Sequence, residues 1–347
     1  MRPEFSDPPK LSAGDRVAVV SPAYPAPADY PALHEQSLLR LREHFQLEPV
    51  EFPTTRRHSP AAARAEDLMA AYADPSIRAV LATIGGDDQI TVLPHLDPKP
   101  FLADPKPFLG FSDNTNLLNW LWTHGVAGYH GMSTMMHLAR GGGVQPIAAE
   151  SLRAALFTGG DLEIRAVEEF SDEEISWRDP ASLTRSPVPY PSPGRVWHQA
   201  DRVVSAPTWG GSLEILHWTL AAGRWVRPVE DYAGCVLLLE TSEEMPSAAE
   251  VFRMLRNFGE RGLLEQFPAI LFGTAKGTVF SNPKPVAERT RYREEQRAAV
   301  LRALAAYNPE AMAVFGVDFG HTDPQWVLPY GGRITVDGPA QRIIGHY

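Results

Sequence analysis

The chain has 347 residues, 44% hydrophobic and 21% charged, enough for a sizeable core and for two domains rather than one small one. With 32 basic against 42 acidic residues its formal charge is −10, which argues against nucleic acid or an anionic membrane as the main partner. The single cysteine, Cys235, excludes an intramolecular disulfide framework and a thiolate-rich zinc site, while the 32 prolines are close to twice the roughly 5% average.

The N-terminus, MRPEFSDPPKLSAGDR, lacks the apolar core of a secretory signal. The longest apolar runs fall far short of the roughly 20 residues of a membrane span, so a cytoplasmic location is expected. Short β-type runs then alternate with amphipathic segments. Arg16–Ser21 reads as a buried strand, Ala32–Gln46 as a helix, Pro49–Phe52 as a strand and Ala61–Ala73 as a helix. Arg78–Ile84 is a strand stopped by Gly85-Gly86, and Pro107–Phe111 a strand running into a helix over Asp113–His124. Tyr129–Met132 completes the strands and Ala148–Phe157 the helices. This alternation predicts a parallel sheet wrapped by helices over residues 1–160, with ligands expected beyond the carboxyl ends of the strands.

From 161 to 207 the periodicity fails. The stretch DPASLTRSPVPYPSPGRVW holds five prolines and reads as a connection between domains. Its large aromatics, Trp177 and Trp197, point to a docked loop rather than a free tether. Helix Ser212–Ala222, strand Cys235–Glu240, helix Ala248–Gly259, strand Ala269–Gly273, helix Pro285–Tyr307, strand Ala313–Val317 and a β-rich tail from Trp326 predict a second, smaller α/β domain over 208–347. The tandem DPKPFLA (97–103) and DPKPFLG (104–110) spans only two units and predicts no solenoid.

Neither a GxxxxGK[ST] phosphate loop nor HExxH is present, and no GxGxxG follows the first strand. His130 and His137 lie seven apart, a poor spacing for a metal. The positive signal is Leu109-Gly110-Phe111-Ser112-Asp113-Asn114-Thr115. A strand ends, a glycine precedes a serine by two, and a helix begins, the layout of a nucleophile elbow. The competing reading makes Ser112 or Asp113 an N-cap, and the final glycine of the hydrolase motif is missing. A serine nucleophile needs a base and an acid to orient it. Glu240 ends an apolar strand, and His321 follows another strand between Gly320 and a downstream proline. Either could be an ordinary strand-end residue; together with Ser112 they supply serine, acid and histidine from three strand ends.

These residues sit in a dispersed set of motifs: GDRVAVVSPA (14–23), RAVLATIGGDDQITVLPHLD (78–97), KPFLGFSDNT (106–115), YHGM (129–132), WGGSLEIL (209–216), GCVLLLE (234–240) and GHTDPQWVLPYG (320–331). In this order they resemble the LD-carboxypeptidase family of serine peptidases, which includes the microcin C self-immunity proteins, over nearly the full length. The resemblance implies an N-terminal domain like those of flavodoxins and glutamine amidotransferases. It implies Ser112 as nucleophile, His321 as general base and Glu240 as the acid behind it, with backbone N–H groups of Gly86 and Asp113 as oxyanion donors. Gly85 beside them permits close approach of a substrate. No metal or cofactor is implied, and homodimers are usual in the family.

The family's members divide between trimming D-alanine from peptidoglycan tetrapeptides and cleaving an acidic aminoacyl group from a nucleotide-like toxic moiety. The loop around Trp177 resembles the second branch, where a tryptophan stacks on a nucleobase; the alternative is a docking anchor. Glu244, in the acidic TSEE run after Glu240, is a candidate for substrate contact, although a basic residue would be expected opposite an acidic aminoacyl group. A catalytically silent, ligand-sequestering module is the alternative of another class. The proline clusters at 22–31, 94–107, 187–193 and 283–285 predict ordered connections that border the site.

Overall fold

The computed structural model describes residues 4–5 and 9–347 as two large sheets with helices packed on them and a small two-stranded sheet. β1 (Arg16–Val20), β2 (Glu48–Glu51), β3 (Ile77–Ala82), β4 (Phe108–Gly110) and β5 (Gly128–His130) are mutually parallel, in spatial order β5-β4-β3-β1-β2. Apolar, β-branched residues bury both faces of β1 and β3, as a sheet covered on both sides requires. Helices Pro31–Phe45 and Ala61–Ala73 lie where the apolar spacing predicts them, the first ending at Gln46 in a left-handed conformation (φ 55°).

The sixth strand of this sheet comes from the far end of the chain. Leu328–Tyr330 pairs antiparallel with β5, so the β-rich tail does not belong wholly to the second half. Such pairing is invisible to local periodicity. The second sheet has eight strands, with Val203–Ser212, Val236–Glu240, Ala269–Gly273 and Met312–Val317 forming its parallel centre.

The 161–207 stretch is more structured than its sequence suggests. Asp161–Glu163 and Val196–His198 are the edge strands of the second sheet, and Glu169–Phe170 pairs with Tyr190–Pro191. The ten-residue strand Val203–Ser212 runs straight past residue 207. Pro207 and the Gly210-Gly211 pair disguise it, yet each has its place. Residues up to Pro207 pair antiparallel with Arg333–Asp337, and those from Thr208 pair parallel with Val236–Glu240. Gly210 lies at φ +143°, and a Cβ there would stand 1.8 Å from the Leu238 carbonyl oxygen.

The helix Thr115–Thr123 joins the halves. Trp122 stacks on Tyr232 (5.0 Å between centroids, 6° between planes) and donates its indole N–H to the Thr208 carbonyl at 3.2 Å. Trp209 donates back to Asn119 Oδ1 at 2.9 Å, and the Ser212 N–H donates to Thr115 Oγ1 at 3.1 Å. One apolar core runs through both sheets here, from Ala18 and Val80 to Trp209 and Phe272. Among the described residues, no helix is long and apolar enough to cross a membrane.

Gly210→Ala should disrupt the pairing that aligns Trp209–Ser212 with the Glu240 strand. A loss of about 3 kcal/mol or more in urea-induced unfolding is expected, at the upper end of overpacking effects. A loss under about 1 kcal/mol would show that the close approach is not required.

Candidate active site

β4 delivers its chain directly into a turn. Ser112 holds a left-handed conformation (φ 61°), rare for a residue with a side chain and typical of strained functional turns. A 3₁₀ turn over Ser112–Asn114 precedes the helix Thr115–Thr123, so the helix starts later than Asp113. The turn is braced from below. Gln89 donates its side-chain amide to Asn114 Oδ1 at 2.7 Å and accepts from the Leu117 N–H at 2.9 Å, while Asn114 donates to the Ile84 carbonyl at 3.0 Å.

Neither Ser112 nor Asp113 caps the helix through its side chain. The Asp113 carboxylate accepts from the Gln89 N–H at 2.9 Å and Asn116 at 2.8 Å; burial, with Asp88 and Asp87 adding their charges, pushes its pKa up to about 6. Ser112 Oγ makes no hydrogen bond among the described residues. Gly85 lies against it. A Cβ at this position would fall 2.8 Å from Ser112 Cβ, 2.9 Å from Oγ and 3.2 Å from the Asp113 nitrogen. The missing side chain therefore leaves open a space bounded by the hydroxyl and the Asp113 N–H.

Glu240 ends its strand at 1% exposure, and its Oε2 accepts from His321 Nδ1 at 2.6 Å. The other oxygen, Oε1, has no hydrogen-bond partner and lies 3.9 Å from Nε2 of the fully buried His130. Burial opposes the charge on Glu240, but His321 overcomes it and holds the carboxyl below its ordinary value. Burial likewise disfavours the imidazolium of His321, and the carboxylates of Glu240, Glu243 and Glu214 more than compensate, raising its pKa to about 9. His130 and His137, which lack such a close pairing, are lowered by burial to about 4. Phe111 sets its ring edge-on to His321 at 5.1 Å, tying the histidine to the residue before Ser112. Gln325 fixes the loop across the seam, accepting from the Met132 N–H at 2.7 Å and donating to the Gly320 carbonyl at 2.5 Å.

A cavity of about 500 Å³ opens on this arrangement, lined by Gly85, Gly86, Ser112, Trp177 and His321 among others. Glu240 stands behind His321. Trp177 packs edge-on against Tyr30 at 5.2 Å, and both residues line the cavity. Pro187 of the third proline cluster lies in its wall, as do Tyr24 and Tyr30 of the first, whereas the 94–107 cluster leads into β4 and neither it nor the 283–285 cluster lines the cavity, although Phe280 just before the latter does. Glu244 is exposed and outside the lining; its neighbour Glu243 takes that place. The turn decides this. Ser242 donates through both N–H (2.9 Å) and hydroxyl (2.8 Å) to the buried Glu214, which fixes the chain so that residue 243 faces His321. Glu243 Oε2 lies 3.1 Å from His321 Nε2.

Several contributors carry no motif. Asp172 is buried under the Trp177 loop and accepts from Tyr190 (2.6 Å), Arg289 (2.9 Å), the Gly277 N–H (2.9 Å) and Arg293. Lys276, buried in the cavity wall, pairs with Glu174 at 3.0 Å, and Arg140 pairs with Asp323 at 2.6 Å. The acidic run after Glu240 was the one available signal for Glu243; the others depend on loop geometry that periodicity does not encode.

Residues 17–131 match the model of the LD-carboxypeptidase N-terminal domain, and residues 205–336 that of the C-terminal domain. A protein of Streptomyces coelicolor named as a carboxypeptidase is 35% identical over 357 residues, covering 97% of this chain and 98% of its own. The microcin C7 self-immunity protein MccF of Escherichia coli is 25% identical over 286 residues, covering 79% of this chain and 75% of that one. A solved structure of a tryptophan mutant of MccF with adenosine monophosphate superposes with a TM-score of 0.83 at 22% identity, covering 98% of both chains, and shows a common fold. Another structure of MccF holds aspartyl sulfamoyl adenosine.

Two substitutions test this geometry. In Glu240→Gln the His321 pKa should fall from about 9 toward the ordinary value near 6.5, read by NMR titration of the imidazole. Because the folded value is the raised one, the histidine's stabilisation is complete below about 6.5 and is lost as pH rises through about 9. The stability gap between wild type and variant should shrink over that range. Asp172→Ala leaves Arg289 and Arg293 without their buried partner; a loss of about 3–5 kcal/mol is expected, with faster proteolysis within residues 173–189. Unchanged cleavage would mean that Asp172 does not anchor the loop.

Proposed function

This chain belongs to the LD-carboxypeptidase family, and from that premise we propose that it is a serine amidase cleaving the bond between an aminoacyl group and a nucleotide-like leaving group. Ser112 Oγ attacks the scissile carbonyl while His321 Nε2 takes its proton. Glu240 orients the ring through Nδ1 and stabilises the imidazolium. The N–H groups of Asp113 and Gly86 donate to the oxyanion. The proton passes to the leaving nitrogen, and water, deprotonated by His321, releases the acyl group and restores the serine.

The observation that carries this reading is a single cavity shared by a strained, unengaged serine hydroxyl and a histidine whose far nitrogen is bonded to a buried carboxylate. Trp177 and Tyr30 supply aromatic faces on the same cavity for a base. The sulfamoyl nucleotide complex of MccF supports this choice of substrate.

Purified protein should hydrolyse an aminoacyl-sulfamoyl adenosine, and Ser112→Ala should lose at least about 10³-fold in kcat. Trp177→Ala should lower kcat/KM for the nucleotide by about 10–100-fold, the equivalent of roughly 1–3 kcal/mol of stacking, and leave a peptidoglycan tetrapeptide unaffected. Faster release of D-alanine from the tetrapeptide would favour a muropeptide carboxypeptidase. Stoichiometric binding without turnover would favour sequestration.

A further inference from the structure

His321 does not offer a free nitrogen to Ser112. Nδ1 is hydrogen-bonded to Glu240 at 2.6 Å, and Glu243 Oε2 stands 3.1 Å from Nε2 as an ion-pair contact. A neutral imidazole has one N–H and one lone pair, so it can donate to only one of two flanking carboxylates. With Nδ1–H donated to Glu240, a neutral ring would turn its Nε2 lone pair toward an ionised carboxylate 3.1 Å away, so the two acids favour the imidazolium, which cannot accept the serine proton. The contact between Glu243 and Nε2 therefore has to open before the base can act.

The two acids differ in their freedom to move. Glu240 is enclosed, its side chain 1% exposed; that of Glu243 is 54% exposed. Ser242 pins the backbone of the turn to Glu214, so a swing of Glu243 needs only side-chain rotation. Among the cavity's cations, Arg140 is engaged by Asp323 and Lys276 by Glu174. Arg185 sits exposed on the loop without an ion pair among the described residues.

A further cation is one the substrate brings. An α-ammonium is two bonds from the scissile carbonyl carbon, so a carboxylate within reach of the base can also reach it. We propose that Glu243 recognises an ammonium on the acyl side of the scissile amide, and that this exchange of partners unmasks His321. The proposal rests on the amidase reading above.

As Glu243 transfers to the ammonium, the imidazolium loses one of its two carboxylate partners and releases its Nε2 proton to bulk water. The ring keeps its Nδ1 proton on Glu240 and turns a lone pair toward Ser112; the ammonium stays protonated. The charged surroundings agree with this direction. Glu240, Glu243 and Glu214 all raise the His321 pKa, while His130 and His137, lowered to about 4, are uncharged near neutrality.

The test compares an aminoacyl-sulfamoyl adenosine bearing a free α-amine with its N-acetyl analogue. Wild type should prefer the free amine by at least about tenfold in kcat/KM. Glu243→Gln should abolish the preference, partly by gaining rate on the acetylated compound, and should move the acidic limb of kcat/KM to lower pH. In Ser112→Ala, the free-amine compound should lower the His321 titration midpoint seen by NMR, and the acetylated one should not. Arg185→Ala should keep the preference. A preference equal in wild type and Glu243→Gln, its loss in Arg185→Ala instead, or a midpoint unmoved by the free amine would overturn the proposal. A wild type inert on every amide would sink the amidase reading itself, whereas turnover with an unchanged preference in Glu243→Gln would sink only the role of Glu243.

Discussion

The buried charge of Glu240 is the constraint around which the two halves are arranged. Removing a carboxylate from water costs several kcal/mol even after relaxation, and only close partners offset that. His321 is such a partner, and it arrives from a loop after the last parallel strand of the same sheet. The fit is tight on both sides. A Cβ at Gly273 or at Gly320 would come within 2.8 Å of Glu240 atoms, and Gly320 adopts φ +99°, where glycine is favoured. Strand ends and loop are thus shaped to admit one carboxylate and one ring.

That requirement explains why the halves interlock instead of merely touching. His130 of the first sheet lies beside Glu240, and Phe111 packs on His321. Gln325 bonds to both the Met132 turn and the Gly320 carbonyl, and three residues later the chain enters the first sheet as Leu328–Tyr330. The strand that follows Gln325 is thereby registered against β5, which ends two residues before Met132. Positioning Ser112 relative to His321 is then a property of sheet pairing rather than of a flexible hinge.

Much of this was legible in the sequence where the cause is local. Buried β-branched runs marked β1 and β3, helical spacing marked Pro31–Phe45 and Ala61–Ala73, and glycine followed by serine at a strand-to-helix junction marked the turn at Ser112. What escaped depends on partners distant in the chain. The strand Val203–Ser212 crosses the boundary read at residue 207, because nothing local reveals that it changes partners at Pro207 or that Leu238 needs the space of a missing side chain at Gly210. The distinction between Glu243 and Glu244 is set by the hydrogen bonds of Ser242 to Glu214, twenty-eight residues back. The anchoring of the Trp177 loop through Asp172 depends on arginines more than a hundred residues away.

One histidine thus carries two acids that differ in kind. Breaking a buried pair by removing one partner costs about 3–5 kcal/mol, so Glu240 is effectively permanent. On the Glu243 side of its contact the carboxylate is 54% exposed, so solvent competes for that charge and the side chain loses freedom when held, which makes this contact far weaker than a buried pair. A ligand charge can therefore exchange with Glu243 at little cost while leaving Glu240 untouched. The arrangement places the durable contact on the nitrogen that orients the ring and the replaceable contact on the nitrogen that faces the cavity. Reversing the two would leave the ring's orientation open to disturbance by whatever enters the cavity, and would hold the other ring nitrogen behind a contact too costly to break.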